Sequence, residues 1–311
     1  MAVVCRTQPD TVWHMRAMVA VVAVVFIAAA PIPEWQTTVS REHPRVGTIF
    51  DVAAGAAITP ETLITRLVPK RFVILGEKHD NPDHHRLQAW VLAELVAAGR
   101  KPAVVFEMFR LDQADAIARH LAAAPDDARG LGDVLEWRRS GWPAWAMYEP
   151  IVAAALRARL PLVAGNLSET TTAAVRRGGL AALDTATLAR LRFDQPLADD
   201  VRGRLVTELR DAHCGHLPES GLDNFVAVQR ARDAQMAAAM REAGGDGALL
   251  IAGAGHGRKD MGVPLRLPAS ATASVGFIEV RDGAPATLPF DYVWTTPRVD
   301  DRDPCESFRR R

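Results

Sequence analysis

The sequence predicts an α/β fold, with a mainly parallel sheet flanked by helices and a helical insertion capping the carboxyl-end rim of the strands. Three observations carry this. Four short apolar runs, 71–75, 103–106, 160–164 and 248–252, are continuous rather than alternating, as in strands buried on both faces. Stretches with helix-start signals separate them. With 49% hydrophobic and 24% charged residues over 311 positions, the chain can bury a sizeable core, which excludes a disordered or collagen-like polymer. The 37 basic and 37 acidic side chains cancel, so no nucleic-acid partner is expected.

The elements follow in order. Residues 17–30, AMVAVVAVVFIAAA, follow Arg16 and close on small residues, the pattern of a secretory signal. Pro31 and Pro33 stop the run short of the roughly 20 apolar residues that a membrane span needs. Residues 1–30 are therefore expected to be a signal peptide or a retained N-terminal anchor. The first places the protein in the periplasm or cell envelope, and the second associates it with the inner membrane. No cysteine follows the run, so a lipoprotein is not expected.

Residues 31–45 read as a linker, 46–296 as the α/β domain and 297–311 as a C-terminal tail. A strand is expected over 46–52, with Gly55 in the turn after it. Thr59-Pro60-Glu61 opens a helix through Leu67, cap first and proline at the first helical position. The strand at 71–75 ends in Gly76-Glu77-Lys78-His79. Asn81-Pro82-Asp83 then starts a helix to Ala98. The strand at 103–106 ends at Glu107, and a helix follows over 112–123. Residues 125–160 read as irregular and then helical, broken at Gly141-Trp142-Pro143. The strand at 160–164 ends in Gly165-Asn166, and Ser168 caps the next helix. Residues 180–243 read as mostly helical, with Phe225, Val228, Met236 and Met240 as core positions. The strand at 248–252 ends in Gly253-Ala254-Gly255-His256, and two last strands are expected over 273–280 and 290–295. The helical insertion is bounded at about 112–245, and the long stretch between the third and fourth strands is the part that caps the sheet.

The chemistry gathers at strand ends. In an open parallel sheet, ligands bind beyond the carboxyl ends of the strands. Glu77, His79, Glu107, Asn166 and His256 all stand there. Histidine nitrogens and carboxylate oxygens can ligate a divalent metal, and a glutamate beside a histidine can act on water as a general base. GAGHG lacks the lysine and spacing of a phosphate-binding loop. His84 and His85, at the start of a helix, are expected to form a solvated surface cluster. His213 and His216 flank Cys214 in a loop and are weighed as loop packing rather than metal ligands. Cys214 and Cys305 remain after the signal, either bridged in an oxidising compartment or as two free thiols.

Aromatic residues make up 6% of the chain, yet Trp137, Trp142, Trp145 and Tyr148 fall within one short segment. Flat rings beside a phenol suit a porphyrin, and tyrosine can ligate haem iron. An aromatic cluster packing on the sheet is the alternative.

LGEKHDNPDHHRLQ, VVFEMF, GWPAWAMYEPI, AGNLS, HCGHLP, VQRARDAQMA and IAGAGHGRKDMGVPLRL together resemble the ChaN-like haem-binding uptake family. That family sits in a superfamily with Tiki proteins, TraB proteins and erythromycin esterases. The resemblance implies an exported protein of haem or iron uptake whose partner is haem or another iron porphyrin. It implies Tyr148 as the iron ligand, with Trp145 or Trp142 on the macrocycle. Arg110, Arg138, Arg139 and Arg258 are the candidate cations for the propionates. From the hydrolases of the superfamily, it implies Glu77, His79, Glu107 and His256 as the residues of a metal-dependent or histidine-assisted hydrolase, the alternative function. A flat apolar cofactor can also complete an interface, so a homodimer is compatible with these expectations.

Overall fold

The computed structural model describes residue 2 and residues 31–194, 196–282, 288–303 and 305–306. The expected signal segment lies outside the described residues. Among those described, no helix is long and apolar enough to cross a membrane.

The sheet is built from β1 (Ile49–Asp51), β2 (Ala56–Ile58), β3 (Phe72–Glu77), β4 (Ala103–Arg110), β5 (Leu162–Asn166), β6 (Ala248–Gly253), β7 (Thr272–Glu279) and β8 (Tyr292–Thr296). Their order across the sheet is β2-β1-β8-β7-β3-β6-β4-β5. From β8 to β5 every pairing is parallel. Only β1 runs antiparallel to its neighbours, β2 and β8. The expected strand at 46–52 is thus one arm of an edge hairpin, shorter than its apolar pattern implied.

The four apolar runs all form parallel strands, three of them central (β3, β4 and β6) and one, β5, at the sheet edge; alternate residues of the central strands enter two different cores. Val73, Leu75, Val104, Phe106, Leu249 and Ile251 face one side. Phe72, Ile74, Val105, Leu250 and Ala252 face the other. The first side is covered by α1 (Pro60–Leu67), α2 (Pro82–Ala97), α4 (Ala128–Val134) and α5 (Trp145–Arg157). The second is covered by α9 (Leu222–Glu242), through Met236 and Met240. Helices α3 (Ala114–Ala123), α6 (Glu169–Gly178), α7 (Thr185–Arg190) and α8 (Asp199–Ala212) and the short α10 (Ala254–Gly257) complete the chain.

The helix starts read from sequence form as side-chain caps. Thr59 accepts from the Thr62 N–H, Asn81 from Asp83 and Ser168 from Thr171. Each satisfies a backbone donor that the first turn leaves unpaired. Met236 and Met240 are fully buried, as expected, while Phe225 and Val228 are only half-buried.

The expected solvated surface cluster does not form. His84 and His85 are both 0% exposed. Helix α2 is buried along its first turn as well as its apolar face, so the histidines point into the molecule. His84 accepts from the Lys78 N–H at 2.8 Å and faces the Thr296 hydroxyl at 2.8 Å, and burial pushes its pKa down to about 3. The linker region is also tied down: the Gln36 and Thr37 N–H groups donate to the Asp83 carboxylate at the α2 start, at 2.7 and 3.0 Å. At the other end of the chain, Cys305 is disulfide-bonded to Cys214.

Candidate functional site

The strand ends meet as one connected polar network. Glu77 ends β3 and is 2% exposed; its Oε1 accepts from the Tyr148 hydroxyl at 3.0 Å and from His79 Nδ1 at 2.9 Å. His85 Nδ1 lies 2.9 Å from Glu77 Oε2, off the in-line hydrogen-bond direction, and His85 Nε2 donates to the His79 carbonyl at 2.9 Å. Burial opposes ionisation of Glu77, but the imidazolium of His85 and the hydrogen bond from His79 outweigh it. They draw the carboxyl down to about 2.

Glu107 lies where β4 shifts register against β5, between Phe106 and Arg110. Such an irregularity re-aims a side chain beside a site. Its Oε2 accepts the Gly253 N–H at 2.7 Å, and Arg232 on α9 donates to Oε1. His256 Nε2 stands 3.2 Å from the same carboxylate, and its Nδ1 donates to Asp233 at 2.5 Å. Burial would neutralise His256, but Glu107 and Asp233 on either side raise its pKa to about 9. Burial likewise works against the Glu107 charge, but His256 and Arg232 hold its carboxyl well below the usual range.

His79 links the two halves. Its Nδ1 is held by Glu77 and its Nε2 is 3.9 Å from Glu107 Oε2. Gly253 lies directly beneath it: a Cβ at that position would stand 2.7 Å from His79 Nε2. The His79 side chain is 34% exposed, while Glu77, His85, Glu107 and His256 are buried.

Against this wall lies an open cavity of about 450 Å³, lined in part by Arg110, Trp142, Asn166, Arg176 and Arg232. Trp142 meets the His79 ring edge-on at 4.9 Å. Asn166 donates to the Glu107 carbonyl at 2.9 Å, so the cavity floor is continuous with the network.

Of the other expected cofactor residues, all but Arg110 lie away from the cavity. Tyr148 is 0% exposed, enclosed by His85 and Trp137 with its hydroxyl on Glu77. Burial and the adjacent Glu77 charge raise its pKa, so the phenol keeps its proton. Trp145 packs on Trp137 at 4.7 Å and donates to the Ala128 carbonyl at 3.2 Å, inside the aromatic cluster. Arg258 makes paired bonds to Asp260 and a 2.9 Å bond to Glu208, so its charge is engaged away from the cavity. Arg139 lies 3.8 Å from Glu136, and neither it nor Arg138 lines the cavity. Arg110 does line it, although Asp112 holds part of its charge.

As a divalent metal site the donors do not fit. Glu77, Glu107, His79 and His256 already face opposite charges at close range, and most of their ligand atoms are directed at one another. Among the described residues, no group of three or more His, Cys, Asp or Glu side chains has a metal-holding arrangement. Asp233, Arg232 and Arg176 escaped the sequence reading. The first two stand in VQRARDAQMA, where adjacent opposite charges beside the apolar, alanine-rich half of a helix were the available signal.

Similarity to known proteins agrees with this architecture. A family model described as haem-binding uptake, Tiki superfamily, ChaN matches residues 63–267. Among solved structures, "Cofacial heme binding to ChaN of Campylobacter jejuni" aligns with a TM-score of 0.62 at 22% identity, covering 79% of this chain and 95% of that one. An erythromycin esterase mutant, EreC in its open conformation, aligns at 0.41 and 16% identity, covering 89% of this chain and 86% of that one. No curated protein matches the sequence. With its eight-stranded, mostly parallel sheet and a family match across most of its helices and central strands, the chain belongs to the ChaN-type haem-binding uptake family of the Tiki superfamily.

Proposed function

We propose that this protein binds haem, or a related iron porphyrin, in the cavity at the carboxyl-end rim, as part of haem or iron uptake. One observation carries the proposal: a single cavity places a flat indole, Trp142, among three guanidiniums, Arg110, Arg176 and Arg232, and the partly exposed imidazole of His79 meets that indole edge-on at 4.9 Å. A porphyrin is a flat apolar body with two carboxylates, and these groups match both features. The volume, about 450 Å³, lies in the usual range for cofactor sites, and the open mouth leaves one face of a ligand uncovered.

In this arrangement Trp142 would lie against the macrocycle, the arginines would take the propionates and His79 would face the iron. The bound cofactor supplies an iron centre that accepts an axial ligand. Glu77 holds His79 Nδ1 and so fixes which nitrogen is left for a ligand, as outer-shell carboxylates do. His85 and Tyr148 in turn fix Glu77. Tyr148 is thus a positioning residue in this proposal, and the iron-ligand role assigned to it from sequence passes to His79. The Campylobacter ChaN binds haem cofacially. A second porphyrin or a second copy of the chain covering the open face is the corresponding proposal here.

Export is proposed from the N-terminal apolar segment and the Cys214–Cys305 disulfide, which suits an oxidising compartment. The hydrolase alternative draws support from the Asp233–His256–Glu107 chain, a proton-handling arrangement. Its weakness is chemical: a carboxylate held well below its ordinary pKa is a poor base at neutral pH.

The test is haem titration of the purified protein. A saturable shift of the Soret band is expected. His79→Ala should alter the ligand-field bands and Tyr148→Phe should leave them unchanged. A wild-type protein that leaves the haem spectrum untouched would sink the proposal, and the reverse pattern of mutants would return the ligand role to Tyr148.

A further inference from the structure

A second cavity, about 510 Å³, opens between α9, the segment 192–205 and the segment 261–268, and shares only Asp233 with the strand-end network. Three guanidiniums line it: Arg192, Arg230 and Arg266. Arg230 and Arg266 both stack on the Phe193 ring, at 5.3 and 4.8 Å from its centroid. The carboxylates in the wall are Asp194, which is exposed, and Asp233, which His256 already holds. Leu197, Leu205, Met261 and Leu267 supply an apolar wall.

Arg230 is the unusual member. Its Nε is buried without a hydrogen-bond partner, and among the described residues its guanidinium forms no ion pair. Arg230 as a whole is half-buried; a guanidinium with one nitrogen withdrawn from water and no counter-charge is destabilised, and ring stacking compensates only in part. The other arginines of α9 differ: Arg232 binds Glu107, and Arg241 donates to the Arg266 and Arg190 carbonyls.

We propose that this cavity binds an organic anion with an apolar body, its carboxylate or phosphate on Arg230 and Arg266 and its apolar part against Leu205, Met261 and Leu267. A planar guanidinium receives either headgroup through paired hydrogen bonds. The proposal does not depend on haem binding in the rim cavity.

Calorimetric titration of the full folded protein with octanoate, octyl phosphate and octanol tests it. Octanoate, octyl phosphate or both should bind at one site, and octanol should not. Whichever anion binds more tightly assigns the headgroup. Arg230→Gln should weaken that binding about tenfold, the loss expected for a charge-assisted contact, and leave the haem titration unchanged. Circular dichroism checks that the variant folds; if it does not, Arg266→Gln serves as the second variant with the same expected loss. No binding of either anion, equal binding of octanol, or unchanged affinity in a folded Arg230→Gln or Arg266→Gln protein would overturn the proposal. Unchanged haem binding beside lost anion binding separates this site from the rim cavity.

Discussion

The hydroxyl of Tyr148 donates to Glu77 at 3.0 Å, across 71 positions of chain, from the first turn of a helix to the end of a strand. That contact joins the aromatic segment to the strand-end network and turns a phenol that looks like a ligand into a support for a carboxylate. Tyr148→Phe removes one donor from a buried charge. It should lower unfolding free energy by about 1.5–3 kcal/mol, read by urea denaturation. A change below experimental error would mean that the hydrogen bond contributes nothing.

Trp142 is the aromatic residue of its segment that lines the rim cavity. Trp142→Ala should weaken haem binding by roughly tenfold through lost ring contact, while the melting temperature changes little because the indole is half-buried. Equal haem affinity in the variant would place the macrocycle elsewhere.

Gly253 leaves no room for a side chain beneath His79. Gly253→Ala should therefore displace the imidazole, at a cost of about 1–3 kcal/mol in stability. The haem spectrum should change with it. A variant with wild-type stability and spectrum would show that His79 moves aside freely.

The network should leave a signature in the pH dependence of stability. His256 has a folded-state pKa raised to about 9 from an ordinary 6.5, so its contribution is complete below about 6.5 and disappears as pH rises through about 9. Glu77 is lowered to about 2 from 4.5, so its contribution is present above about 4.5 and disappears as pH falls through about 2. In His256→Gln the loss of stability between pH 6.5 and 9 should be smaller than in the wild type. Identical alkaline limbs would contradict the assignment of that proton to His256.

The disulfide between Cys214 and Cys305 spans 91 positions and ties the C-terminal segment to the loop before α9. Reduction, or Cys214→Ser, should cost about 2–4 kcal/mol. Chemical denaturation with and without reductant measures it, and equal midpoints would show that the bridge constrains little.

Much of the fold was legible. Each of the four continuous apolar runs is a parallel strand of the sheet, three of them central and β5 at the edge, and Thr59, Asn81 and Ser168 cap the helices that they introduce. These features depend on local rules, burial on both faces and satisfaction of first-turn donors. The edge hairpin was less legible, because β1 and β2 are only three residues each and their pairing is set by the neighbouring β8.

The site divides along the same line. Sequence by itself determined that Glu77, His79, Glu107, Asn166 and His256 share one rim, because parallel strands in one sheet end on the same side. Tertiary structure decided which groups face which. It buried His84 and His85, joined Tyr148 to Glu77, left Trp142 at the cavity with its ring against His79, engaged Arg258 with Asp260 and brought Arg232 and Asp233 from α9 onto Glu107 and His256. The reason is physical: strand direction follows from local pattern, whereas the pairing of a buried charge depends on which distant helix packs against it and on the electrostatic cost of leaving that charge alone.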